Sequence, residues 1–331
     1  MKILWVFIAL FSLAACGQSG KRSAGSAESA GNEILYADPT VMEWEGKYYL
    51  TGTGTQSPAG FTVLQSEDLL HWSTGIPDSL RFILKKGEGT FGEKGFWAPQ
   101  WFADNGRWFL AYTADEQVAL ASSSSWLGPF KQEKVQPVDS TAHNIDPYLF
   151  KDDDGKYYLY HVRFNKGNYI WVAKFDMKSG RILPQTLKQC LDCTEEWENT
   201  HNYPSDPIME GPTVKKWGDV YYLFYSANHF MNIDYAVGYA TSSSPFGPWK
   251  KYEGNPIIHR SIVKENGSGH GDIFATPEGD LYYVYHVHNS DSVVSPRRTR
   301  IVPMLREKGA DGIYHISVDS GRIIKPLQTI Q

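Results

Sequence analysis

Asp38-Pro39-Thr40-Val41-Met42-Glu43-Trp44-Glu45-Gly46-Lys47-Tyr48-Tyr49-Leu50 decides the fold, because the chain repeats its pattern four more times. The stretch is a short apolar strand, a glycine-containing turn and an aromatic strand, headed by an acid. Its cousins are WAPQWFADNGRWFLAY from Trp97, DPYLFKDDDGKYYLY from Asp146, EGPTVKKWGDVYYLFY from Glu210 and HGDIFATPEGDLYYVY from His270. The turn glycines are Gly46, Gly106, Gly155, Gly218 and Gly279, at separations of 60, 49, 63 and 61 residues. Each turn lies between two apolar-aromatic runs, so the runs pair as antiparallel hairpins, and Asn105-Gly106 has the positive-φ chemistry of a tight one. Ser-rich stretches ending in aromatics, such as those from Gln65, Ala121 and Ala240, read as outer strands of the same units.

A four-stranded antiparallel unit repeated five times covers its edges and faces when arranged radially. The expected fold is therefore all-β, a five-bladed β-propeller with blades near 34–90, 91–140, 141–205, 206–262 and 263–331 and very little helix. A β-sandwich is the weaker reading, since sandwiches do not repeat their sequence at a fixed period. The segment from Thr299 onward is expected to supply the last outer strands or to close the ring.

Composition agrees with this and narrows function. The chain has 331 residues, 41% of them hydrophobic, with 20 Tyr, 16 Phe and 11 Trp, enough for a large core and for rings that stack on sugars. Net charge is −5 with the two signs interspersed, which leaves no basic footprint for nucleic acid. At the N-terminus, Lys2 precedes an apolar run from Ile3 to Leu13, too short to span a bilayer, and then Leu13-Ala14-Ala15-Cys16. This resembles a bacterial lipobox, which implies that residues 1–16 are a lipoprotein signal and that Cys16 is lipidated. Residues 17–32 are Gly/Ser/Ala-rich and read as a flexible tether, leaving 33–331 as the propeller domain. Cys190 and Cys193 lack the further ligands of a zinc site and read as a loop disulfide or as two thiols without function.

The heads of the repeats carry the chemistry. From head to turn glycine the count is eight for Asp38 to Gly46, eight for Ala98 to Gly106, nine for Asp146 to Gly155, eight for Glu210 to Gly218 and nine for His270 to Gly279. If the first strand of each hairpin is innermost, these heads ring one mouth of the central channel. Asp-Pro is also ordinary turn chemistry and a histidine between glycines is more often structural. Three carboxylates and a histidine at one shared address, where unpaired charge is costly to desolvate, point instead to a site. Asp152, Asp153 and Asp154 read as a solvated turn, because a calcium loop would need a distal Glu that is absent. Two opposed carboxyls are the equipment of glycoside hydrolysis, one protonating the departing oxygen and one activating water, and a third would tune the acid by like-charge repulsion.

The motifs YADPTV, FWAPQ, NIDPYLF, MEGPTV and GSGHGDIF, read together from Leu35 to about Met304, resemble glycoside hydrolase family 43. The resemblance implies an inverting glycosidase in which Asp38 is the general base, Glu210 the general acid and Asp146 the residue that tunes and orients the acid. It implies Trp97 and Arg298 as substrate-binding residues, with Arg297 and Arg300 as the alternatives to Arg298, and His270 near the axis with a calcium ion held largely through waters. The Asn-Asp-Pro-Asn box of fructan-acting relatives is missing from YADPT. The expected substrate is an oligosaccharide or polysaccharide, with exo-acting α-L-arabinofuranosidase or β-xylosidase activity ahead of endo-α-1,5-L-arabinanase or a β-galactofuranosidase-like activity. A non-catalytic sugar-binding lipoprotein is the rival from another class. The expected location is the envelope of a Gram-negative bacterium, attached to the membrane only through the lipid.

Overall fold

Each of the five repeats forms the hairpin its sequence predicts. The inner strands are Ala37–Trp44, Trp97–Asp104, Asn144–Lys151, Met209–Trp217 and Gly269–Ala275. They pair antiparallel with Lys47–Thr53, Arg107–Ala114, Tyr157–Phe164, Val220–Ala227 and Leu281–Val287. These pairings come from a computed structural model, which describes residues 33–54, 59–74 and 82–329. The expected signal, Cys16 and the tether all lie outside the described residues.

Third strands follow in order, among them Gln117–Ser123, Asn168–Asp176, Ala236–Ser242 and Arg298–Lys308, giving five radially arranged blades. The inner strand Ala37–Trp44 opens with five consecutive buried residues rather than an alternating pattern. A neighbouring blade covers each face of such a strand, so both faces favour burial. The aromatic surplus goes largely into these interfaces. Five hydrophobic clusters lie one between each pair of adjacent blades: Tyr49 with Trp101, Leu149 with Val118, Tyr160 with Leu223, Phe224 with Tyr283, and Leu50 with Val284 mark them in turn.

The C-terminal segment does both things expected of it. Arg298–Lys308 and Tyr314–Val318 complete the fifth blade, while Leu327–Gln328 pairs parallel with His71–Trp72 of the first. Ile34 accepts from the Thr299 amide and donates to Pro326, so both ends of the domain stitch blade 5 to blade 1. Helix among the described residues amounts to one α-helical turn, Arg260–Val263, and a few 3-10 turns.

One smaller reading changes, and one open choice is resolved. Asp152 is not solvated: it is buried and receives the Tyr221 hydroxyl at 2.5 Å and the Lys216 ammonium at 2.9 Å, tying blade 3 to blade 4. Cys190 and Cys193 are free thiols packed against the core between blades 3 and 4, and burial pushes Cys193 up to about 11, so neither is a thiolate nucleophile.

Candidate active site

Every inner strand carries a β-bulge near its start, where the pairing skips between Ala37 and Thr40, Trp97 and Gln100, Ile145 and Tyr148, Glu210 and Thr213, and Gly269 and Asp272. The second residue of each skip has positive φ: Asp38 at 47°, Ala98 at 44°, Asp146 at 55°, Gly211 at 60° and His270 at 43°. For residues with a Cβ this is strained backbone, and its recurrence at one address marks a position re-aimed for a purpose. All five line the central channel.

Glu210 is therefore not at the address of Asp38 and Asp146, as equal spacing to the turn glycine suggests. The blade 4 turn is Gly218-Asp219, with glycine first, whereas Glu45-Gly46 and Asn105-Gly106 put it second. Counting from glycine misplaces blade 4 by one residue. Gly211 occupies the channel position, and Glu210 is equivalent to Ala37, Trp97, Ile145 and Gly269. A one-residue step along a strand turns a side chain to the other face. Glu210 and Trp97 accordingly line the wider mouth cavity, of about 450 Å³, and not the channel below. Asp38, Asp146 and His270 face both.

The amides of the five heads show how neighbouring blades hold this ring. Asp38 N donates to His286 Nδ1 at 3.1 Å, Ala98 N to Thr53 Oγ1 at 3.0 Å, Asp146 N to Thr113 Oγ1 at 3.0 Å and His270 N to Ser226 Oγ at 2.8 Å. Each acceptor sits at the same place on the second strand of the preceding blade. In blade 3 that place is Val162, which cannot accept, and the Gly211 amide donates instead to Asp146 Oδ2 at 3.2 Å. The Asp146 carboxylate thus fixes the peptide immediately after Glu210.

Electrostatics separate the three acids. Burial is the largest single influence on Asp38 and works to raise it, but the Arg297 guanidinium, 3.1 Å from Oδ1, the neighbouring imidazoles and the Thr53 hydroxyl at 2.7 Å together outweigh it and hold the carboxyl well below its ordinary range. His270 and His286 also face Oδ1, each at 3.4 Å, yet burial lowers both imidazoles and leaves them neutral near pH 7, so Arg297 is the cation that counts there. Glu210 has no guanidinium or ammonium against it. Its Oε1 accepts from the Tyr235 hydroxyl at 2.7 Å, and burial, reinforced by the negative charge of Asp38, lifts it to about 7. Asp146 is raised as well, first by burial and then by Glu210 and Asp38.

Of the two predicted sugar-binding residues, Trp97 lines the mouth and Arg298 does not. Arg298 donates to the His288 carbonyl and the Glu265 carboxylate and lies near Glu33, on the ring-closing side. Arg297 reaches the site instead, between Asp38 and the Phe230 ring, whose centroid is 4.6 Å away. Alternation along the chain decides between the two arginines, since successive side chains point apart. Sequence reading missed His286, Tyr235 and Phe230. His286 had a findable signal: it stands seven residues past its turn glycine, as Thr53 and Thr113 do past theirs. Tyr235 lies in the connection ahead of a third strand, where no spacing rule points to it.

Among the described residues no group of three or more His, Cys, Asp or Glu side chains is placed to hold a metal ion. Asp272, the other channel acid, is already engaged by Thr40 and by the Ile273 amide. A calcium ion beside His270 would have that imidazole and the channel carboxylates of Asp38, Asp146 and Asp272 for neighbours, each already hydrogen-bonded to protein groups.

Comparison with known proteins agrees with the geometry. A solved endo-1,4-β-xylanase from Bacteroides thetaiotaomicron superposes with a TM-score of 0.78 at 37% identity, covering 90% of this chain and 99% of that one. A β-D-galactofuranosidase of Aspergillus niger is 26% identical over 321 residues, 87% of this chain and 85% of its own length. A putative β-xylosidase of Escherichia coli is 25% identical over 82% of this chain, which spans only 50% of that relative's length, and about half is typical of several curated relatives it matches. The model for glycosyl hydrolases family 43 matches residues 32–312, and the chain belongs to that family.

Proposed function

We propose that the protein is an inverting exo-glycosidase that removes terminal α-L-arabinofuranosyl or β-D-xylosyl units from oligosaccharide or polysaccharide chains. One observation carries this reading: two buried carboxyls share a cavity, one against a guanidinium and the other against a neutral phenol. Asp38, kept ionised by Arg297, is the base that draws a proton from the attacking water. Glu210, kept protonated by burial and like charge, is the acid that protonates the departing oxygen. Asp146 helps by position: the bond that its carboxyl takes from the Gly211 amide fixes the backbone carrying the acid. Trp97 and Phe230 offer faces for the apolar side of the sugar ring, and Arg297 stands beside the reacting centre.

Exo action is supported by the rim. The loop at residues 228–235 of blade 4 and that at 288–297 of blade 5 are long, so the mouth cavity has a high wall on that side. Names among the relatives, with xylosidases, arabinosidases and a galactofuranosidase, support a pentose or furanose. Attachment to the bacterial envelope through Cys16 belongs to the same proposal and rests on the Leu13-Ala14-Ala15-Cys16 sequence.

A panel of nitrophenyl α-L-arabinofuranoside, β-D-xyloside and galactosides, with proton NMR of the first-formed sugar, tests the reading. Release of the inverted anomer from an arabinofuranoside or xyloside is expected, with loss of turnover in Asp38→Asn. Sugar binding without release from any of them would make the protein a lectin-like lipoprotein instead, and a retained anomer would exclude the water-activating role of Asp38.

A further inference from the structure

The rim of the mouth is uneven. Against the long loops of blades 4 and 5, blade 2 has a two-residue turn, Asp115-Glu116, and blade 3 a three-residue one at 165–167. The turns are short there, and beside them lies a second cavity of about 400 Å³ lined by Lys94, Gly95, Trp97, Asp115, Glu116 and His143. Trp97 and Glu116 line both this cavity and the mouth. A chain whose terminal sugar occupies the mouth can leave over these short turns, and they open on a trough.

We propose that this trough is a second sugar subsite, holding the unit of the substrate next along from the one in the mouth; this rests on the hydrolase reading above. Its chemistry suits a sugar: an indole for the apolar face, and a carboxylate, an imidazole and an ammonium for hydroxyls. The trough is also built rather than incidental. Asp115 and Glu116 both hold positive φ, 50° and 52°, in a turn without glycine, strained backbone that persists where its surroundings over-determine it. The Asp115 carboxylate accepts from the amides of Glu93 and Lys94 at 2.9 and 3.1 Å, and its own amide donates to the Lys94 carbonyl. Those bonds dock the loop under Trp97, where Gly95 leaves room for the indole: a Cβ there would meet the ring at 3.0 Å. Glu116 and His143 face each other at 2.9 Å, and the His143 ring stacks on Phe164, which lines the mouth. The site is thus formed before any sugar arrives, which lowers the ordering cost of binding.

His143 is exposed, so His143→Ala leaves the fold alone. The test compares kcat/KM for the trisaccharide of the sugar selected by the nitrophenyl panel with that for its nitrophenyl glycoside, in wild type and variant. The ratio is expected to fall about tenfold in His143→Ala, the size of one lost polar contact. An unchanged ratio would overturn the subsite while leaving the hydrolase reading standing. If the wild type splits no nitrophenyl glycoside, the hydrolase reading fails and the subsite is still tested: calorimetric titration of xylotriose and arabinotriose onto Glu210→Gln and Glu210→Gln/His143→Ala proteins should show the affinity lost in the double variant, and equal affinities would overturn it.

Discussion

Asp38 and Glu210 are both almost wholly buried, and their neighbours set them to opposite ionisation states. With Asp38 ionised far into acid, the protonated Glu210 is the group that sets the working range. We expect kcat/KM to decline as pH rises through about 7, where Glu210 loses its proton, with the acidic limb well below, in a profile measured on a poor-leaving-group glycoside. Glu210→Gln should abolish that turnover while sparing aryl glycosides with good leaving groups by orders of magnitude; equal loss on both would remove Glu210 from the role of acid. The same proton has a stability consequence. Folded Glu210 keeps it to about 7, whereas the unfolded chain releases it near the ordinary value of 4.5, so between those values the native state binds more protons and stability falls as pH rises. Urea unfolding at pH 5 and pH 8 should show Glu210→Gln gaining about 2 kcal/mol on the wild type at the higher pH, since each tenfold difference in proton affinity is worth about 1.4 kcal/mol.

At the level of the strand, the bulge at the head of each inner strand and the polar side chain from the preceding blade form one repeated joint. Thr113 is the simplest place to test it, because its hydroxyl is fully buried, accepts the Asp146 amide and, unlike Thr53, touches no carboxylate. Thr113→Val keeps the shape and removes the acceptor. It should cost about 1–3 kcal/mol in chemical denaturation, the penalty for a buried amide left without a partner. It should also depress kcat on natural glycosides more than it raises KM, since the amide belongs to the residue that positions Glu210. Loss of stability alone would make the joint purely structural. The hairpins were legible from the alternation of apolar runs with glycine turns. The position of Glu210 was not, because Gly218-Asp219 and Glu45-Gly46 look alike in composition and differ in which turn residue is glycine.

For the whole ring, the decisive contact is where its ends meet. Arg300 is fully buried and lies between Glu265, which takes two of its nitrogens at 2.8 Å, and Glu33 at 2.8 Å, with Arg298 supporting both acids from the side. Glu33 begins the described domain and Glu265 stands just before the last blade, so this ion cluster clamps the closure that the parallel pair Leu327–Gln328 and His71–Trp72 completes. Removing one member of such a cluster leaves charge buried without its partner. Arg300→Leu should lower stability by about 3 kcal/mol and Tm by on the order of 5–10 °C in a thermal melt. A melt matching the wild type would mean that apolar packing alone holds the ring shut.

The sequence by itself determined the number of blades, the strand order within them and the identity of the three acids, because hydrophobic alternation and turn chemistry are local and repeat visibly five times. The tertiary structure alone decided which arginine faces Asp38, that Glu210 stands one step above the channel rather than in it, and that Trp97 and Glu116 are shared between the mouth and a second cavity beside blades 2 and 3. Those facts depend on register, on side-chain direction at a bulge and on the relative heights of loops far apart in the chain. Each is set by packing between blades, to which no single stretch of sequence is confined.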